Sequence, residues 1–329
     1  MPLSRRDFLK ITALAGATVG IGTSALQRFL QTGELFKVTE THALMGTIVN
    51  FALIAPSQAQ ASVAIKISLD EMRRLSQIYN YRQTESPLGQ LNANGITYQP
   101  PPELVATLQQ ALHFGDLSQG AFDITVKPIL DALRENRPLS SELKELVNYR
   151  LLNITDAEIS LTRPGMAITL DGIAKGSVID GGVEILHSAG YENILVEAGG
   201  DIMAKSSPNG QVWKVGIAHP RQRNKFIETI SIQNQAVATS GDYQNHFSAD
   251  YSSYHIVDPR SGQSPTELAS ATVIAPSVSE ADALSTTLMV LGSIDGFALI
   301  ENLPETAALV VTKDMKTYTS SKFPHRING

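Results

Sequence analysis

The sequence predicts an α+β fold, because segments of one secondary-structure type follow one another instead of alternating. Between residues 193 and 239 five candidate strands succeed one another without a helix, and helical patterns return only near Asp282 and Ile294. A doubly wound sheet would instead alternate strands with helices throughout. The chain has 329 residues, enough for one large hydrophobic core or two ordinary ones.

Composition and charge exclude several classes of protein. The hydrophobic fraction is 43% and the charged fraction 18%, which is typical of a globular chain. There are no cysteines, so disulfides, thiolate metal sites and a cysteine nucleophile are excluded. The net charge is -6, and without the first 30 residues the 22 basic and 31 acidic residues that remain give -9. A body this acidic disfavours nucleic acid as a partner.

The first 30 residues are predicted to be an export signal. Arg5 and Arg6 lie in the sequence SRRDFLK, which is followed by a short, uncharged run of small and apolar residues. This arrangement matches a twin-arginine signal, although a basic end to an N-terminal helix is the alternative. If it is not cleaved, the segment could remain as a membrane anchor. We therefore divide the chain into a signal, 1–30, and one domain, 31–329.

The N-terminal half of that domain combines a strand region with several helices. Period-3.6 patterns predict helices, Ser86 followed by Pro87 predicts a helix start, and the proline at 128 ends an apolar run. The predicted elements are strands within 35–54, helices over 59–79 and 102–114 with a short one after Ser86, a short buried strand over 120–128, and a helix over 140–147.

The C-terminal half is rich in strands. A glycine-flanked turn at 172–176 leads into a helix over 177–188, and free backbone N–H groups at such a turn could cradle a phosphate, although turns of this kind are common. The predicted strands are 167–170, 193–198, 202–204, 213–218, 226–232, 235–239 and one carrying His255, with a closing hairpin over 309–312 and 317–320.

Three segments carry residues suited to chemistry, and one of them, 239–243, offers hydroxyls and backbone N–H groups for phosphate oxygens, although a strand-end turn is the alternative. Asp282 and Thr286 are four apart in a helix predicted to begin after Ser277 or Ser279, so both lie on one face and could supply hard oxygen ligands to Mg²⁺. The spacing alone favours a simpler interpretation, in which the acid is solvated and the threonine hydroxyl faces the carbonyls of its own helix. His255 is a candidate proton acceptor, and a packed histidine is the alternative.

Eight segments in order resemble the ApbE family of FAD:protein FMN transferases. They extend collinearly from about residue 42 to 292, and eight matches in order are far more specific than any one of them. The segments are MGT at 45–47, S-x-L-x-x-L-N at 86–92, GAFDIT at 120–125 followed by Pro128, GIAKG at 172–176 followed by Asp180, AGGD at 198–201, ATSGDY at 238–243, HIVDP at 255–259 followed by Gly262, and AD at 281–282 followed by Thr286.

The resemblance implies a fold, a site and a reaction. The fold would be α+β and T-fold-like, with mixed or antiparallel sheets, packed helices and an FAD cleft between the halves. Mg²⁺, or Mn²⁺ as an alternative, would lie on Asp282, Thr286 and a carbonyl near Gly172, and His255 would be the general base. The implied FAD-binding residues are Met45, Tyr79, Ala121, Phe122, Asp123, Lys175, Asp180, Thr239, Ser240, Asp242 and His255.

The implied reaction cleaves the diphosphate of FAD, transfers FMN to a serine or threonine of an exported or membrane electron-transfer protein, and releases AMP. Location in the periplasm would follow, with anchoring at the inner membrane if the signal stays attached. Two features depart from the family: Thr169-Leu170-Asp171 replaces the usual Asp-Leu-Gly, and Glu197 replaces a residue that is often asparagine. An FAD carrier without chemistry and an FAD pyrophosphatase are the competing functions.

Overall fold

An eight-stranded antiparallel sheet forms the centre of the fold and confirms the α+β prediction. The computed structural model describes residues 35–207 and 210–324, so the predicted signal over 1–30 lies outside the described residues. The strand order in the large sheet is β1-β2-β6-β7-β10-β11-β12-β13, with a small sheet of order β3-β5-β4 and the hairpin β8-β9 beside it. The strands are β1 Phe36–Leu44, β2 Thr47–Ala55, β3 Ile96–Tyr98, β4 Leu152–Ile154, β5 Glu158–Leu161, β6 Ile194–Ala198, β7 Asp201–Lys205, β8 Trp213–Ala218, β9 Phe226–Ile232, β10 Gln235–Gly241, β11 Leu268–Ala275, β12 Ala307–Thr312 and β13 Thr317–Thr319.

The described chain contains seven helices and two 3₁₀ turns. They are α1 Gln58–Ile78, α2 Pro87–Asn94, α3 Pro102–Leu117, α4 Lys127–Arg134, α5 Ser141–Lys144, α6 Ala174–Ser188 and α7 Val278–Glu301, with 3₁₀ turns at Ile124–Val126 and Tyr149–Leu151. Ser86 caps α2 as predicted, because its hydroxyl accepts the Gly89 N–H at 2.9 Å.

The two faces of the sheet are covered differently. Helices α1, α6 and α7 pack together on one face and enclose the larger apolar core. The β8-β9 hairpin covers the opposite face, where Trp213 and its neighbours pack in a second cluster. By length and apolar composition α7 could cross a membrane, and among the described residues it alone passes that test. Here it is a core helix, with 14 of its 24 residues buried.

Several predicted elements are wrong, and side-chain hydrogen bonds explain most of these errors. Residues 120–128 are not a strand, because the Asp123 carboxylate accepts the Thr125 N–H and starts a 3₁₀ turn that leads into α4. Residues 167–170 are extended but form no strand, since Asn92 binds both the N–H and the carbonyl of Ile168. The helix predicted over 140–147 is the short α5.

His255 lies in a loop, which corrects the strand predicted around it. The preceding residue, Tyr254, forms one isolated bridge with His246, and its N–H is bonded to the Ser264 hydroxyl. Strand β11 has no counterpart among the sequence predictions. All eight of its residues are buried, so it lacks the alternation that identifies a half-exposed strand.

Strand register brings the motif segments to one end of the large sheet. The β1-β2 turn at 45–46 and the β6-β7 turn at 199–200 share this end, because Val49 pairs with Ala198. The antiparallel pairing of β7 with β10 sends residues 239–242 to the same end. The candidate site is therefore assembled by sheet topology from segments far apart in sequence.

Candidate functional site

The start of helix α6 carries a lysine that is paired with a buried carboxylate. Lys175 Nζ lies 2.7 Å from Asp201 Oδ2, and the Asp201 side chain is 1% exposed. The other Asp201 oxygen accepts the Thr239 N–H at 3.3 Å, which connects the β6-β7 turn to β10. Burial opposes the charge on Lys175, but Asp201 and Asp282 hold the pKa of its ammonium above the ordinary value. Lys175 therefore carries a fixed positive charge at this end of the sheet.

The first turns of α7 bring a carboxylate and two hydroxyls close to a third hydroxyl, that of Ser240 on β10. The Ser240 hydroxyl lies 2.8 Å from that of Ser285 and 3.2 Å from that of Thr286. A methyl group placed on Gly172 would lie 3.3 Å from the Thr286 hydroxyl, so the turn before α6 passes directly over Thr286. The buried Asp282 accepts the Gly176 N–H at 3.3 Å. The three residues proposed as metal ligands, Gly172, Asp282 and Thr286, are thus adjacent.

Negative charge exceeds positive charge around Asp282. Burial, with Asp201 and Asp171 as further contributors, raises the pKa of Asp282 to about 7, and Lys175 opposes the rise. Burial also raises the pKa of Glu197, whose carboxylate accepts the Gly200 N–H at 2.7 Å. Asp282, Asp201 and Glu197 all act on Lys175, so three carboxylates share one lysine and a bound cation would offset part of the cost of burying them.

The oxygen donors fit a hard divalent cation. No group of three or more histidine, aspartate and glutamate side chains forms a ligand set in the described part of the chain. Mg²⁺ does not need one, because it commonly binds through one or two protein oxygens and completes its shell with water and phosphate. The Asp282 carboxylate and the Thr286 hydroxyl are donors of that kind.

His255 is held as a neutral base close to these charges. Its Nδ1 is buried without a hydrogen-bond partner among the described residues. Burial lowers the pKa of His255, while the Gln244 backbone and the charge of Asp171 oppose the shift and Lys175 adds to it. Asp171 and Lys175 both act on the His255 imidazole, whose neutral form can accept a proton at neutral pH.

Aromatic and apolar residues form the wall opposite α7. Phe122 packs edge-on against Phe114, and its ring edge would lie 3.1 Å from a methyl group on Gly172. Ala121 is buried beside it, and Met45 is half-buried at the β1-β2 turn with a φ of 53°. Thr47 of the same turn is in contact with Gly199, so this hairpin lies against the β6-β7 turn.

Besides Lys175, Thr239 and Ser240, whose side chains contact Asp201, Thr272 and Ser285, four of the expected FAD-binding residues have protein partners. Tyr79 is buried, and its hydroxyl is 2.9 Å from that of Thr107 on α3. Asp180 accepts the N–H groups of Val278 and Ser279, both at 2.9 Å, at the start of α7.

The other two are Asp123 and Asp242. One oxygen of Asp123 accepts from Thr125, and the other accepts the Tyr149 N–H at 3.0 Å. Both oxygens of Asp242 bind the Arg221 guanidinium, at 2.6 and 2.7 Å. These hydrogen bonds give each of the four carboxyl or hydroxyl groups a role in ordering the walls of the site.

Tyr81 lies next to the turn before α6 and is absent from the residues predicted for the site. Its hydroxyl donates to Asp171 at 3.3 Å, and the charged groups of Arg82 and Lys127 each lie 4.7 Å from the centre of its ring. The sequence could have indicated Tyr81, because it belongs to the polar loop that follows α1. The family resemblance implies Tyr79 instead, which ends the helical pattern of α1, and such a pattern predicts burial better than ligand contact.

Comparison with known proteins identifies the family to which this chain is similar. The ApbE family model matches residues 45–310, and the model of the twin-arginine translocation signal matches residues 2–22. A FAD:protein FMN transferase of Vibrio cholerae is 30% identical, over 85% of this chain and 89% of the relative, and one of Haemophilus influenzae is 28% identical over 95% and 90%. Among solved structures, the flavin transferase ApbE of V. cholerae is 27% identical with a TM-score of 0.74, covering 88% of this chain and 99% of that one. The ApbE protein of Thermotoga maritima has a TM-score of 0.77 at 27% identity, covering 88% and 97%.

Proposed function

The chain belongs to the ApbE family and is an exported flavin transferase, and we propose that it uses Mg²⁺ at Asp282 and Thr286 with His255 as the base. The observation that carries this proposal is the meeting of the Thr286, Ser240 and Ser285 hydroxyls beside Asp282 and Lys175. It joins the metal-ligand candidates on α7 to the phosphate-binding candidates on β10. Mn²⁺ has the same preference for oxygen ligands and would substitute for Mg²⁺.

The proposed reaction exchanges one phosphorus–oxygen bond for another. The hydroxyl oxygen of an acceptor serine or threonine attacks the phosphorus on the FMN side of FAD, and the bond from that phosphorus to the bridging oxygen breaks. AMP leaves with the bridging oxygen, and FMN remains on the acceptor as a phosphoester. A bound Mg²⁺ would neutralise phosphate charge and stabilise the leaving AMP phosphate.

The residues of the chain divide the remaining work. His255 takes the proton of the acceptor hydroxyl, and its lowered pKa keeps it neutral and ready to accept that proton at pH 7. Lys175 and the Thr239–Ser240 segment hold phosphate oxygens, while Met45, Ala121 and Phe122 contact the flavin or the adenine. We assign Tyr79, Asp123, Asp180 and Asp242 to supporting the walls around FAD, because the Tyr79 hydroxyl and both oxygens of each carboxylate are bound within the protein.

The acceptors that fit are exported or membrane electron-transfer subunits that present a serine or threonine in a flavinylation motif. The twin-arginine signal supports this class, because the transferase and its acceptor must meet on the same side of the membrane. We place the enzyme in the periplasm, with attachment to the inner membrane if the signal is not cleaved. Replacement of both Arg5 and Arg6 by lysine should leave the protein in the cytoplasm, as measured by cell fractionation.

The function is tested by the mass of an acceptor after reaction. The purified enzyme is incubated with FAD, Mg²⁺ and an exported flavin-binding domain that carries a Ser/Thr-Gly-Ala-type motif, and both the acceptor mass and free AMP are measured. An FMN adduct with equal AMP confirms transfer. Release of free FMN and AMP without an adduct indicates a pyrophosphatase, and FAD binding without AMP indicates a carrier. An adduct that forms equally well in excess chelator would remove Mg²⁺ from the proposal.

A further inference from the structure

An ionic cluster outside the proposed catalytic residues contacts the loop that carries His255. The Asp242 carboxylate is completely buried, and it binds the Arg221 guanidinium through both oxygens, at 2.6 and 2.7 Å. Lys313 Nζ lies 3.7 Å from the same carboxylate. Arg221 comes from the β8-β9 turn and Lys313 from the β12-β13 turn. We call these three residues, Arg221, Asp242 and Lys313, the ionic clamp.

Both cations of the ionic clamp also contact the far end of the loop that starts at Asp242. The Arg221 guanidinium lies 4.6 Å from the centre of the Tyr251 ring. Lys313 Nζ donates to the Tyr251 carbonyl at 2.8 Å and lies 5.5 Å from the centre of the Tyr254 ring. The ionic clamp therefore closes the loop 243–254, because one carboxylate at its start holds two cations that bind near its end.

The residue held at that end is next to the proposed base. Tyr254 is fully buried, and its hydroxyl donates to the Pro265 carbonyl at 2.8 Å. His255 follows directly, with its ring centre 6.4 Å from that of Tyr254. His255 itself has no side-chain hydrogen bond through Nδ1 among the described residues. Its orientation thus depends on the backbone and on its packed neighbours, and Tyr254 is the neighbour that the ionic clamp reaches.

We propose that Arg221, Asp242 and Lys313 are positioning residues, which fix the loop 243–254 so that His255 is aligned with the acceptor hydroxyl. This inference rests on the proposed function, in which His255 is the base. It also gives Asp242 a role distinct from binding FAD, because both of its oxygens are taken by Arg221 and Lys313 is close by. The ionic clamp is expected to govern the rate of transfer and to leave the affinity for FAD unchanged.

The test replaces Lys313, whose side chain is 27% exposed, so the variant is expected to fold. Lys313→Met removes the charge and keeps the length, and Lys313→Arg keeps the charge. Lys316→Met is the matched control, because Lys316 lies in the same hairpin and pairs with the exposed Asp314. For each variant kcat for FMN transfer, the Kd for FAD, and the NMR titration of His255 in the full-length enzyme are measured.

Lys313→Met should lower kcat by about tenfold to hundredfold, since small misplacement of a catalytic group has effects of this size. The Kd for FAD should stay within about twofold, and the His255 pKa should rise towards its ordinary value as the loop opens to solvent. Lys313→Arg should recover most of the rate, and Lys316→Met should behave as the unaltered enzyme.

Two results would overturn the inference. One is a folded Lys313→Met enzyme with unchanged kcat, and the other is a variant whose Kd for FAD rises in step with the loss of rate. If Lys313→Met proves unstable, Arg221→Lys, which retains a cation beside Asp242, is measured in the same way and judged by the same two results. Failure of the proposed function is distinguishable, because the unaltered enzyme would then form no FMN adduct.

Discussion

Gly176 is predicted to be a packing residue whose replacement separates two helices. In Gly176→Ala the new methyl group would lie 2.5 Å from the Cα and the N of Ser279 and from the carbonyl oxygen of Val278. These are backbone atoms at the start of α7, so the clash is relieved only by moving α6 away from α7. Overpacking of this kind costs about 1–3 kcal/mol, and a better helix propensity offsets up to about 1 kcal/mol of it. We expect a net loss of about 2 kcal/mol in the free energy of unfolding, or about 4–8 °C in Tm.

The same helix offers a control for this prediction. In Gly181→Ala the nearest atom is the Cδ1 of Leu75, at 2.4 Å, and the tip of a leucine can rotate away. Gly181→Ala should therefore be close to neutral in urea denaturation. Gly176→Ala should also weaken Mg²⁺ binding, because the Gly176 N–H is bonded to Asp282. Equal stability of the two variants would refute the packing argument. The close approach of Gly176 to α7 would then have to be explained by ligand binding.

Three further predictions concern the site itself. His255→Ala should reduce the transfer rate by about 10²–10⁴-fold and leave the Kd for FAD unchanged, as measured by adduct formation and flavin fluorescence; an unaffected rate would remove His255 as the base. Burial raises the pKa of Asp282 to about 7, so Mg²⁺ must displace a proton below that pH. Calorimetry should show the Mg²⁺ affinity falling about tenfold per pH unit below about pH 7, whereas Asp282→Asn should bind weakly at every pH. Asp180→Asn should lower the free energy of unfolding by about 1–2 kcal/mol without changing FAD affinity, because an amide can accept only one of the two N–H bonds at the start of α7; a loss of FAD affinity at unchanged stability would assign Asp180 to the ligand.

The sequence was sufficient for the fold class and for most elements in the second half of the chain. Strands β8 and β9 lie where the alternation of apolar and polar residues predicts them, because one side of this hairpin faces the core and the other faces solvent. Strand β11 was not predicted for the opposite reason. It is buried on both faces, so its sequence lacks the alternation of apolar and polar residues. The alternation of apolar and polar residues indicates a strand that is exposed on one face, so it does not identify a strand in the middle of a covered sheet.

The strands predicted around His255 and over the segment before α6 are wrong for a different reason. In each of them a side chain replaces a backbone hydrogen-bond partner, as Ser264 does for Tyr254 and Asn92 does for Ile168. These partners are 10 and 76 residues away in sequence, and no local pattern records them. Side-chain bonds over such distances become visible only once the fold is assembled.

The same limit explains how sequence reasoning treated the carboxylates. Asp180, Asp242 and Asp282 all occur in motif segments, and a motif marks each of them equally as a candidate ligand residue. The structure separates them by their hydrogen bonds. Asp180 accepts two N–H groups of α7 and Asp242 binds Arg221, so both oxygens of each carboxylate have partners within the protein, although burial still raises the pKa of Asp180.

Asp282 differs because fewer hydrogen bonds within the protein offset the burial of its charge. Among the described residues its carboxylate has one long hydrogen bond, to the Gly176 N–H, and Asp201 and Glu197 also act on Lys175, the lysine that opposes its charge. A cation binds most favourably beside a buried carboxylate whose desolvation cost is not offset by hydrogen bonds within the protein. We therefore expect metal dependence to follow Asp282, whereas substitutions of Asp180 and Asp242 should act through the positions of α7 and of the His255 loop.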